Sequence, residues 1–147
     1  MPSINLSEFQ PQMKKINDEL FIFDQVRKKY VQLFPEEWVR QAFIDFLIRQ
    51  YSYSKALMNV EGGLKYDKRS KRSDILVFDR RGEAFLLIEC KSMKVKITAD
   101  TLDQVAQYNH IIKAPYIGVT NGIECWIYRV DHQNRQYQLL DDIPHFE

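Results

Sequence analysis

The steadiest apolar periodicity lies just after residue 35. Trp38, Val39, Ala42, Phe43, Phe46 and Leu47 recur at i, i+1, i+4 and i+5 behind Pro35, which the first turn of a helix tolerates. The pattern predicts a helix from about Pro35 to Gln50, with Glu36 and Glu37 in its first turn, where the helix dipole favours negative charge. Residues 1–34 carry apolar positions at mixed spacing and read as an N-terminal arm or helix. Ala56 to Leu64 reads as a short strand. SDILVFD (73–79) and AFLLIECK (84–91), joined by Arg80-Arg81-Gly82-Glu83, read as a β-hairpin. Leu102, Val105, Ala106 and Tyr108 return to helical spacing behind Asp100 and Thr101. Residues 116–120 and 123–130 are strands around Asn121-Gly122, a strong type I′ hairpin signal. The residues after Asp131 form a polar and aromatic C-terminal extension.

The hairpin strands are apolar on both faces, as in a sheet covered by helices on each side. The expected architecture is therefore α/β, three-layer α/β/α around a central mixed sheet. At 147 residues, 45% of them hydrophobic and with only five Gly and five Pro, one folded domain is expected over 1–147. A net charge of +1 excludes a polybasic binder that works by bulk charge. No apolar run is long enough to cross a bilayer and the N-terminus lacks signal-peptide order, so no membrane association and a cytoplasmic location are expected. Cys90 and Cys125 sit in apolar segments without CxxC spacing and read as core thiols. His110, His132 and His145 show no ligand spacing.

Centring the hairpin on Arg81-Gly82 pairs Arg80 with Glu83 and makes every later pair sum to 163, so Asp74 falls opposite Glu89. Directly opposed side chains have Cβ atoms about 5 Å apart, and residues two apart share a face, which brings Lys91 to the same end. Leu76, Phe78, Phe85 and Leu87 continue that face; Ile75, Val77, Leu86, Ile88 and Cys90 form the other. Two facing carboxylates repel unless a cation or a proton intervenes. Mg²⁺, or Mn²⁺, suits hard oxygen ligands and keeps waters, and such an ion polarises a phosphate and activates water. A neighbouring ammonium balances charge on phosphorus. The pattern suggests phosphodiester hydrolysis. The ordinary alternative is an exposed cross-strand charge cluster.

Ser73-Asp74, fourteen further residues, then Glu89-Cys90-Lys91 resemble the bipartite motif of the PD-(D/E)xK nuclease superfamily, with Ser73 where a proline is expected. PEEWVRQ (35–41), RSDILVFDRRGEAFLLIECKS (72–92), Gln104-x-x-x-Tyr108 and VTNG (119–122) resemble, over residues 35–130, the N-terminal nuclease domain of type I restriction enzyme R subunits. The resemblance implies that Asp74, Glu89 and the backbone carbonyl of Cys90 bind Mg²⁺ and that Lys91 is the catalytic lysine. It maps the first-helix glutamate of that family to Glu37, and puts Gln104 and Tyr108 near the site and a DNA strand. The basic run KYDKRSKR (65–72) bears five positive charges in eight positions. Its Lys68, Arg69, Lys71 and Arg72 then meet phosphates beside the site, and Lys94 and Lys96 extend that surface. Glu61 is held in reserve as a further carboxylate.

The function expected is a metal-dependent endonuclease acting on DNA. Its rival is an inactive nuclease-fold module that binds nucleic acid or a partner protein. Cutting both strands calls for two sites, which leaves room for a homodimer or a larger restriction-type assembly. No GxxxxGK[ST] motor motif occurs, so the chain reads as a stand-alone relative or as part of something longer.

Overall fold

A computed structural model of the chain describes residues 1–60 and 73–146, with Ser73 and Asp74 as backbone. The expected strand over 56–64 begins with a single 3-10 turn at Lys55–Leu57 and continues as strand β4; its positions 61–64, and the basic run 65–72, lie outside the described residues.

Residues 1–34 correct the expectation of an arm or helix. They contain a three-stranded antiparallel sheet of β1 (Met13–Ile16), β2 (Glu19–Asp24) and β3 (Lys29–Gln32). Asn17 and Asp18, at φ 50° and 65°, form the two-residue turn between β1 and β2. Both residues tolerate the left-handed region better than most, which suits a primed hairpin turn. The second turn is built by Asp24. Its Oδ1 accepts from the backbone N–H groups of Val26 and Arg27, and its Oδ2 accepts from Arg27 Nε at 2.6 Å.

Helix α1 (Pro35–Tyr51) follows, with Pro35 in its first turn. It ends where Ser52 turns left-handed at φ 57° and Tyr53 N–H donates to the Leu47 carbonyl. The remaining strands form one mixed sheet: β4 (Met58–Val60), β5 (Ser73–Phe78), β6 (Ala84–Cys90), β7 (Tyr116–Thr120), β8 (Cys125–Asp131) and β9 (Gln136–Leu139), side by side in that order. Every pairing is antiparallel except β6 with β7. A parallel pair needs a long crossover, and α2 (Ala99–Ile112) supplies it.

The two helices bury opposite faces. Val39, Phe43, Ile44 and Leu47 of α1 pack with Ile75, Val77, Leu86, Ile88, Cys90 and Ile127. Val105 and Tyr108 of α2 pack with Leu87, Ile117 and Val119, flanked by Leu76 and Tyr128. Gly118 lies between strands on the α1 side, where a Cβ would stand 2.5 Å and 2.7 Å from the Cδ1 atoms of Ile127 and Ile88. Leu6, and Ile143 of the C-terminal extension, join this core, and Ile4 and Phe9 pack against it, with Phe9 edge-on to Trp38. Cys125 is sealed in this core, and its burial pushes the thiol up to about 12. Among the described residues no helix is long and apolar enough to cross a membrane.

Both expected turns are corrected in detail. In the first hairpin Asp79, not Arg80, closes on Glu83: Asp79 N–H donates to the Glu83 carbonyl, and Asp79 Oδ1 accepts from Arg81 and Glu83 N–H groups. Gly82 takes φ +83°, and a register shift between Val77 and Phe78 restores pairs that sum to 163 from Val77–Leu86 onward. The bulge takes Phe85 off the face expected for it: it packs with the α1-side core, against Tyr53, Tyr116 and Phe146. At Asn121-Gly122 only Gly122 has positive φ, so the link is a four-residue loop between Thr120 and Cys125 rather than a type I′ turn. The C-terminal extension contributes β9 at the sheet edge.

Asp24 ties the small sheet to its own turn. Burial alone raises its pKa, but hydrogen bonds and the charge from Arg27, with the Val26 amide, outweigh burial and hold it below the ordinary 3.8. A depressed native pKa stabilises the fold above the unfolded value, and that contribution is lost as pH falls from about 4 through the lower native value. Asp24→Asn should therefore cost about 1–3 kcal/mol at pH 7. The gap between wild type and variant in urea melts should shrink at pH 3; a gap independent of pH would show that the carboxylate charge contributes nothing.

Candidate active site

Alternation along the central strands puts one row of residues across the α2-facing side of the sheet, at the end where β6 and β7 terminate. Asp74 of β5 pairs with Glu89 of β6, Glu89 with Val119 of β7, and Val119 with Trp126 of β8. The row one step deeper, Leu76, Leu87, Ile117 and Tyr128, belongs to the core under α2. The carboxylate positions thus stand where the apolar layer ends. The expected register of Asp74 opposite Glu89 is present in the backbone; the Asp74 side chain lies outside what is described.

Glu89 is only 7% exposed. Its Oε1 lies 3.4 Å from Lys91 Nζ, and its Oε2 is buried with no hydrogen-bond partner among the described residues. A buried carboxylate oxygen left in that state costs on the order of 1–3 kcal/mol or more. Such deficits are concentrated where a ligand or ion is to be received. Lys91 is held at its backbone, where its N–H donates to the Thr120 carbonyl at 2.8 Å, while its side chain stays partly open. Cys90 contributes its side chain to the α1-side core, so its neighbours on either side in sequence point to the other face.

Glu37 is placed differently. It is buried, and both its oxygens accept from the guanidinium of Arg40, which is itself fully buried. Gln41 Nε2 adds a bond at 3.1 Å, and Arg27 NH2 lies 3.8 Å away. Among the described residues the Glu37 carboxylate is thus engaged by Arg40, Gln41 and Arg27. Gln104 and Tyr108 share α2 but not an environment: Gln104 is exposed, whereas Tyr108 is buried in the core between α2 and the sheet. Lys68, Arg69, Lys71, Arg72 and Glu61 lie outside the described residues. Among the described side chains no three His, Cys, Asp or Glu converge as a metal group.

The family model of the type I restriction enzyme R protein N terminus matches residues 35–144. The chain belongs to this family. No curated protein and no solved structure gives a match. The match begins at the first residue of α1 and runs beyond β9, so the N-terminal three-stranded sheet precedes the segment that this R protein N-terminal domain shares with its family.

One structural residue was missed by reasoning from the sequence. Asn121 is 5% exposed and fully engaged: its Oδ1 accepts from the N–H groups of Ile123 and Glu124, and its Nδ2 donates to the Val95 carbonyl at 2.9 Å. It joins the β7–β8 loop to the loop that follows Lys91. The VTNG motif was the available signal, but it reads equally as a simple turn.

The Glu37–Arg40 pair makes a direct prediction. Removing one partner of a buried pair strands the other, at a cost of about 3–5 kcal/mol. Glu37→Ala should lose that much in chemical denaturation. A loss under 1 kcal/mol would show that Arg40 does not depend on Glu37.

Proposed function

We propose that the chain is a metal-dependent endonuclease that hydrolyses DNA phosphodiester bonds, in a restriction-endonuclease-like α/β/α fold. The observation that carries the reading is Glu89: a carboxylate buried beside Lys91, with one oxygen unpartnered among the described residues, directly across the ladder from a second carboxylate residue. The family match and the helices on opposite faces of the mixed sheet support it.

The donors fit a hard divalent cation such as Mg²⁺ or Mn²⁺. Asp74, Glu89 and the Cys90 carbonyl would hold it, all oxygen donors from two adjacent strands. When bound, the ion supplies polarisation of a phosphate oxygen and an acidified water. Lys91 carries the chain's own part. Its ammonium offsets the Glu89 charge, and its remaining N–H donors orient a water or neutralise charge that builds on the phosphate oxygens. The apolar row beneath excludes water from the protein side of the site. Gln104, exposed on α2, is the member of its pair free to reach a DNA strand. Tyr108 acts as the wall behind it. Both oxygens of Glu37 already accept from Arg40, so Glu37 acts as a structural anchor of α1 rather than as a ligand.

The test is a supercoiled-plasmid nicking assay in Mg²⁺ or Mn²⁺ with a parallel calorimetric metal titration. Wild-type chain should bind the ion and nick DNA. Asp74→Ala, Glu89→Ala and Lys91→Ala should each reduce nicking at least a hundredfold, with circular dichroism unchanged. Cleavage that survives all three substitutions would overturn the site. DNA binding without any product would establish the binding-only module instead.

A further inference from the structure

We infer that the loop after β6, clasped by Asn121, is a second DNA-gripping element beside the candidate active site, in which lysines meet phosphates and apolar side chains meet the groove wall. The inference rests on the endonuclease reading for the identity of the polyanion, and its residues are distinct from those proposed for chemistry.

The segment Lys91–Ala99 reads KSMKVKITA, three lysines and no acid. Met93, Lys94, Val95 and Lys96 are all exposed, Met93 at 44% and Val95 at 38%. Ile123, from the neighbouring β7–β8 loop, is 64% exposed. No carboxylate among the described residues pairs with Lys94 or Lys96. The nearby acid of the β7–β8 loop, Glu124, is turned toward the Trp126 indole at 3.4 Å. Alternating cationic and apolar side chains that stand in solvent match the chemistry of a DNA backbone and groove: the charge follows phosphates, and apolar side chains contact sugars and base steps in a shallow groove.

The rim is built rather than loose. Val95 N–H donates to the Ser92 carbonyl, closing a turn, and the Val95 carbonyl accepts from Asn121 Nδ2. Met93 lies across Gly122, where a Cβ would come within 3.3 Å of Met93 Cε and 3.4 Å of Val39 Cγ2; φ of +88° makes Gly122 doubly suited to that place. The first lysine, Lys91, belongs to the proposed catalytic set, and Lys94 and Lys96 follow within five residues, so the rim adjoins the candidate site along the chain.

The experiment measures fluorescence anisotropy of a labelled 30-base-pair DNA duplex with the 147-residue chain, in EDTA to prevent cleavage, across a salt series. Lys94→Ala/Lys96→Ala should weaken binding about tenfold near 0.1 M salt and reduce the slope of log K against log salt by about 2, since each phosphate contact contributes about 0.9. Met93→Ala/Ile123→Ala should weaken binding with the slope unchanged. Asn121→Asp keeps the acceptor for Ile123 and Glu124 but cannot donate to Val95. It should weaken binding and speed amide exchange in 92–97, with circular dichroism unchanged. A lysine double variant with wild-type affinity and slope would overturn the DNA grip. Apolar variants with wild-type affinity would overturn the apolar part of the grip. A wild-type chain that binds no duplex would remove both this inference and the nuclease reading. Binding that depends on the rim without cleavage in Mg²⁺ would remove the nuclease reading alone.

Discussion

Strand β6 is constrained on all sides. It is hydrogen-bonded to β5 on one edge and β7 on the other, and a helix covers each of its faces. Its side chains are therefore committed by parity alone: Leu86, Ile88 and Cys90 to α1, Leu87 and Glu89 to α2. A slip of one residue would drive Glu89 into the α1-side core and expel Ile88. Two ladders and two apolar layers oppose that slip. The burial of an acidic residue at the end of such a strand is thus imposed by the fold, and the lack of a partner for Glu89 Oε2 among the described residues is a consequence that the fold tolerates. The candidate site lies at the point where the apolar cover runs out.

The same parity explains what could be read from the chain directly. Helix α1 was legible because its apolar spacing, its proline start and its acidic first turn agree with one another. The opposition of Asp74 and Glu89 was legible because the apolar alternation on both strands admits only one register. The turn that produces this register was not. Asp79 captures two amides and Gly82 takes a positive φ, which lengthens the loop by one residue, and a bulge at Val77–Phe78 compensates for it. Alternation fixes which faces match but carries no information about the path of the connection. The small N-terminal sheet was missed for a related reason. Its β1 is exposed throughout, so no buried face imprints a period on the sequence, and the Asn17-Asp18 turn is a weaker mark than Asn-Gly.

Long-range polar partners were the least legible part of the site. Helical spacing alone makes Glu37 and Arg40 neighbours at i, i+3, but it does not say that the pair will be buried, which depends on what packs over α1. Likewise the bond from Asn121 to Val95 spans 26 residues and forms only once α2 has carried the chain across from β6 to β7. Hydrogen bonds of this kind are consequences of tertiary proximity, and a local pattern cannot encode them.

The buried charges around α1 connect these points. Asp24 holds Arg27, Arg27 approaches Glu37, and Glu37 binds Arg40 and Gln41, while the Gln25 N–H donates to Gln41 Oε1. Burying ions is costly, and an apolar replacement of equal volume often packs at least as stably. What such a chain gains is directional: hydrogen bonds to charged groups tolerate few alternative arrangements, so the N-terminal sheet meets α1 in one orientation. The buried acidic residues among those described, Asp24, Glu37 and Glu89, accordingly divide into two kinds. Those on the α1 side are matched by arginine and fix the fold, whereas Glu89, on the α2 side, is matched by a single partly open lysine. Only the second kind leaves a buried oxygen without a hydrogen-bond partner among the described residues, and this difference in pairing, rather than acidity as such, singles out the candidate site.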